Sequence, residues 1–139
     1  MNAEPRVRVV CGDGADVTDR YDLVFINGVF HHVEPAERPR VMTIIGKLLD
    51  ANGLLALFDN NPLNPGAMWV MHRVPFDRDA KPVLAATLAR LANASGMHGA
   101  VTRTYFYFPK PLRALRALEP WLEKLPLGAQ YAVYARRQG

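Results

Sequence analysis

The chain has 139 residues, 50% of them hydrophobic and 22% charged, with a formal net charge of +4; this is the size and make-up of one globular domain, residues 1–139. So modest a charge, carried by scattered arginines, excludes a concentrated basic face for nucleic acid. A single cysteine, Cys11, excludes an internal disulfide; no stretch reaches membrane-spanning length and MNAEPRVRVV has no apolar signal core, so the expected address is the cytoplasm.

Residues 6–11, RVRVVC, alternate arginine with valine over four positions, the pattern of a strand with one charged face at a sheet edge. Gly12-Asp13-Gly14-Ala15-Asp16 follows. It lacks the third glycine and the helix of a dinucleotide loop, and Asp13, Asp16, Asp19 and Asp22 miss the calcium-loop spacing. The organising stretch is residues 21–33, YDLVFINGVFHHV. Leu23, Val24, Phe25 and Ile26 form an unbroken apolar run, expected of a strand covered on both faces. The run stops at the turn pair Asn27-Gly28, and His31 and His32 follow almost at once.

Val41, Ile44, Ile45, Leu48 and Leu49 then fall at i, i+3, i+4, i+7 and i+8, one apolar face of a helix expected from about Pro39 to the stop at Asn52-Gly53. Residues 54–58, LLALF, read as a second buried strand ending in Asp59-Asn60-Asn61-Pro62. NNPLNPG sustains no ladder, while MWVMHRVPF is apolar enough for a short helix or lid. From Pro82 the helical period returns through Leu84, Leu88, Leu91 and Ala92, closing at Gly96. Residues 101–108 and 131–135 read as strands expected to pair antiparallel. Between them, Leu115, Leu118, Leu122 and Leu125 predict an amphipathic excursion, broken at Pro120, that buries one apolar face.

Three apolar strands thus end in Asp13, Asn27 and Asp59-Asn60, and in a parallel sheet those ends open on one polar crevice. GDGADV, YDLVFINGVFHHV and KLLDANGLLALFDNNP resemble the later motifs of the class I S-adenosylmethionine-dependent methyltransferases. The resemblance implies an incomplete Rossmann-like α/β fold, mostly parallel with an antiparallel C-terminal strand pair and helices on both faces. It implies S-adenosyl-L-methionine as cofactor, with Asp13 on the adenine amino group, Gly14 against the ring, and Asn27 and Gly28 beside the methionine part. The family's opening strand, glycine-rich loop and ribose-binding acid have no counterpart before Arg6, so the chain is expected to be an N-terminally truncated domain of this type.

The function so implied is methyl transfer to a small-molecule acceptor. Methyl transfer from a sulfonium needs placement more than covalent help, and a base only where the acceptor loses a proton. His31 and His32, just past the turn, are the candidate catalytic residues. As chain neighbours they are expected to point apart, with His31 favoured. Asp59, Asn60 and Asn61 are the candidate substrate-binding residues. No metal is expected, since His72 and His98 stand at no ligand spacing. The rival expectation is a non-catalytic fragment or interaction module, self-associating through an exposed sheet edge.

Overall fold

A computed structural model of the chain describes residues 9–12 and 14–139. Asp13 and residues 6–8 lie outside the described residues, and Val9, Val10 and Cys11 belong to no strand. Four strands form one sheet in the order β1-β2-β4-β3: β1 Tyr21–Asn27, β2 Leu49–Asn60, β3 Met97–Tyr105 and β4 Gln130–Arg137. β1 and β2 are parallel, and β4 runs antiparallel to both β2 and β3, so three of the four strands point the same way. The expected antiparallel C-terminal pair is present, with Thr104 opposite Tyr131 and Val101 opposite Tyr134.

The crossover from β1 to β2 is helix α1, Arg38–Leu48, with Pro39 in its first turn, where a missing N–H costs nothing. It stops one turn earlier than Asn52-Gly53. Leu49 already pairs with Tyr21, and the register slips between Tyr21 and Leu23, so residues 50–53 form an excursion within β2. Asn52 takes up the reversal at φ 62, a left-handed conformation that asparagine tolerates. Helix α3, Ala85–Ala94, packs beside α1 on the same face of the sheet. Met42 and Ile45 from α1, Leu88 and Ala92 from α3, Leu55 and Leu57 from β2, and Tyr131 and Val133 from β4 make the core.

On the opposite face, where a second helical layer is expected, Phe25, Phe58, Tyr134 and Tyr105 form a chain of ring contacts across the strands. Leu23 and Phe25 are 54% and 61% exposed there. The expectation of a strand covered on both faces therefore needs correction: β1 buries only the side of Val24 and Ile26 against the core.

The leucine-rich excursion also differs from expectation. Residues Lys110–Leu118 are a 3-10 helix with no buried residue, followed by the short α4, Glu119–Leu122. Leu112, Leu115, Leu118 and Trp121 remain exposed. Pro111 and Pro120 both stand in first turns, where a missing N–H is tolerated, and the three-residue turn aligns those leucines along one edge instead of a broad face. Hydrogen bonds hold the segment instead: Glu119 Oε1 accepts from the amides of Tyr107 (3.1 Å) and Phe108 (3.2 Å), and Thr104 N donates to Glu123 O (2.7 Å). Among the described residues no helix is long and apolar enough to cross a membrane.

Candidate functional site at the carboxyl ends of the first two strands

The site begins where β1 ends. Gly28 sits at φ +67, a conformation that side chains resist, and its N–H donates to Phe58 O at 3.0 Å, hooking the turn onto β2. The chain reverses into a single 3-10 turn, Phe30–His32, anchored by the fully buried Phe30. That reversal points the backbone N–H and the ring of His31 at the end of β2. His31 N donates to Asp59 Oδ2 at 3.1 Å, and Nδ1 donates to Oδ1 of the same carboxylate. Asp59 accepts a third bond from Asn60 N at 2.8 Å. Asp59 is wholly buried and His31 is 4% exposed, so this carboxylate–imidazole pair is a fixed internal feature.

Tyr131, opposite Asp59 across the β2–β4 ladder, donates its hydroxyl to Val83 O at 2.8 Å. Burial first, and the Asp59 charge second, push its phenol well above the ordinary value, with Arg38 opposing.

Asp77 arrives from a separate segment. Lys81, four residues past the turn Pro75–Asp77, is fastened to the histidine turn: its N donates to His31 O at 2.6 Å, and the buried Arg38 donates to Val33 O and Lys81 O. Lys81 Nζ pairs with Glu34 at 2.5 Å. These ties bring Asp77 Oδ1 to 3.5 Å from His31 Nε2 and 3.2 Å from His32 Nε2. The two rings lie 4.2 Å apart, and Phe76 packs edge-on against His32. Adjacent histidines were expected to diverge. The 3-10 turn instead leaves both Nε2 atoms within reach of one carboxylate oxygen.

Beside this cluster lies a cavity of about 780 Å³, lined by Asn60, Asn64, Trp69, Asp77, Phe106, Tyr107, Arg116 and Gln130 among others. Helix α2, Pro65–Met71, forms one wall; Asn64 Oδ1 caps it by accepting from Ala67 N at 2.8 Å. Arg73 stacks 3.7 Å over the Trp69 ring. Of the candidate substrate residues, Asn60 lines the cavity, while Asp59 points into the core to His31. Asn61 is 3% exposed and faces away from it, donating to Pro126 O (3.0 Å) and Gly128 O (2.7 Å).

Of the candidate cofactor residues, Asn27 and Gly28 stand together at the carboxyl end of β1. Gly14 does not join them: a side-chain carbon there would meet Ile44 and Leu48, near the far end of α1. Asp13 lies outside the described residues. Asp77 and the aromatic wall at Phe106–Phe108 carried no spacing signal. In the second case β3 ends at Tyr105 and Phe106 turns the chain at φ 62, a reversal that nothing in the aromatic run announces.

The parallel β1–β2 pair, the antiparallel finish and the polar carboxyl ends define an α/β fold of the S-adenosylmethionine-dependent methyltransferase kind. Solved structures agree. A SAM-dependent methyltransferase from Archaeoglobus fulgidus matches over 95% of this chain and 68% of its own, with a TM-score of 0.72 at 18% identity. A SAM-dependent methyltransferase from Thermotoga maritima matches over 95% and 65%, with a TM-score of 0.68 at 12% identity. Human N-acetylserotonin methyltransferase, solved in complex with SAM, matches over 93% and 33%, with a TM-score of 0.59 at 10% identity. No protein-family model matches the sequence, and no curated protein matches it. At these identities the likeness establishes the fold.

Proposed function

We propose that the domain serves S-adenosyl-L-methionine-dependent methyl transfer to a small-molecule acceptor. The observation that carries this reading is His31, locked by Asp59 at the carboxyl end of the parallel pair, directly after Asn27-Gly28 and beside an aromatic-lined cavity. Asn27 and Gly28 flank the methionine part of the cofactor, and Asp13 is assigned to its adenine end by resemblance alone; Gly14, beside Ile44 and Leu48, is left out of the site. The acceptor occupies the cavity against Asn60, Trp69 and Tyr107. When bound, the cofactor would supply a methyl group already activated on a sulfonium, given up to the acceptor heteroatom as the sulfur becomes a neutral thioether. The acceptor's proton passes by way of Asp77 at the cavity wall to His31 Nε2, whose other nitrogen is held by Asp59. His32 faces the same Asp77 oxygen and supports its position. Amide-resolved titration with S-adenosylmethionine tests the cofactor assignment at Asn27 and Gly28.

A second reading is favoured by one observation: among the described residues β1 is one of the two edge strands, and Leu23 and Phe25 stand exposed beside it. Unpaired backbone groups next to an apolar surface are a template for strand addition, here by a second copy of the chain. Light scattering is expected to show mass rising with concentration, and Leu23→Lys, at an exposed position outside the ring contacts, to suppress that rise. A monomer at every concentration would remove this reading.

A further inference from the structure

We infer that His31, His32 and Asp77 form a binding site for one divalent ion of the zinc class. One ring nitrogen of each histidine and a carboxylate oxygen of Asp77 all lie within 4.8 Å of one another. Two ligands bound about 2.1 Å from one tetrahedral ion stand roughly 3.4 Å apart. The distances from Asp77 Oδ1 to the two Nε2 atoms, 3.5 and 3.2 Å, bracket that separation.

Hydrogen bonding strengthens the case. Asp59 accepts from His31 Nδ1, so the proton of a neutral His31 sits on Nδ1 and a lone pair on Nε2. That lone pair faces Asp77 Oδ1, itself an acceptor. A proton bridges two such atoms, whereas a metal ion takes all three that converge here. A buried carboxylate on the far nitrogen is the usual support of a metal-binding histidine, fixing its tautomer and ring orientation. Phe76 packs edge-on against His32, and Lys81, four residues past Asp77, is tied to His31 O and to Arg38.

Two imidazoles and one carboxylate suit zinc, cobalt or nickel, and not magnesium or calcium, which want oxygen alone. Three protein ligands leave a fourth position open, as in catalytic zinc sites. Asp77 also lines the cavity, so the ion would stand at its wall. The site stands independently of the methyl-transfer reading, and the two are exclusive at one atom: an ion on His31 Nε2 takes the lone pair that the acceptor's proton would need.

The test is a cobalt(II) titration of the untagged, metal-free chain carrying Cys11→Ser, since Cys11 is exposed and free. One equivalent is expected to bring up the visible ligand-field bands of a four- or five-coordinate ion, and zinc to abolish them. His32→Ala and Asp77→Ala, at partly exposed positions, are each expected to weaken binding at least tenfold, and Asp59→Asn by about 10- to 100-fold. His72→Ala and His98→Ala should leave it unchanged. Circular dichroism of each variant reports whether it has folded. Absence of the bands, or bands that survive in folded His32→Ala and Asp77→Ala, would overturn the site.

Discussion

Asp59→Ala is expected to destabilise the domain by about 3–5 kcal/mol, a large part of the roughly 5–15 kcal/mol that holds a domain of this kind together. The side chain is wholly buried and accepts from three donors, the backbone and ring of His31 and the amide of Asn60. Alanine removes every acceptor at once and leaves donors stranded where water does not reach. Asp59→Asn keeps the shape and one oxygen but turns an NH₂ towards a donor, so a smaller loss of about 1–3 kcal/mol is expected. Urea unfolding measures both. A loss under about 1 kcal/mol for the alanine variant would mean that the histidine turn is not held from β2.

Gly128→Ala is the second large effect. A methyl group at Gly128 would stand 2.4 Å from Tyr105 O and 2.7 Å from Tyr105 N, backbone atoms that cannot swing aside. The surrounding chain is held on both sides. Asn61 donates to Gly128 O and its amide to Ala129 O, while Ala129 N donates to Phe106 O. Relief requires β3 to part from β4 at the Tyr105–Gln130 rung, which also moves the aromatic wall of the cavity. Overpacking of this kind costs about 1–3 kcal/mol, and contact with rigid backbone puts this site at the upper end. Gly139→Ala, whose added carbon meets nothing closer than 3.6 Å, is the matched control. Equal unfolding midpoints for the two variants would contradict the clamp.

What was legible in the sequence is what repeats. The apolar run after Tyr21, the apolar periods of α1 and α3, and the Thr- and Tyr-rich C-terminal strands each declare their element, because burial acts on every residue of a face. The polar strand ends were legible too, since an apolar run that stops at Asn27 or Asp59 must open somewhere. Single long-range contacts were not. Nothing at Asp77 announces that a 3-10 turn 45 positions earlier will meet it, because that meeting depends on Arg38 and Lys81 closing a loop that has no period. Asn61 looked like a neighbour of Asn60 in function, yet alternation along the chain sends its amide to the 126–128 backbone. The leucines near Pro111 and Pro120 keep helical spacing, but the segment is a 3-10 turn and those side chains stay outside.

The central claim, that the turn after β1 receives the methionine end of S-adenosylmethionine, is tested most directly by amide-resolved titration of the isotopically labelled chain with that cofactor. The account predicts saturable shifts at Asn27, Gly28 and His31, with the amides of Lys110–Leu118 unmoved. Silence at those three positions up to about 10 mM cofactor, which bounds the binding free energy below about 3 kcal/mol, would contradict it, as would shifts confined to the Lys110–Leu118 segment.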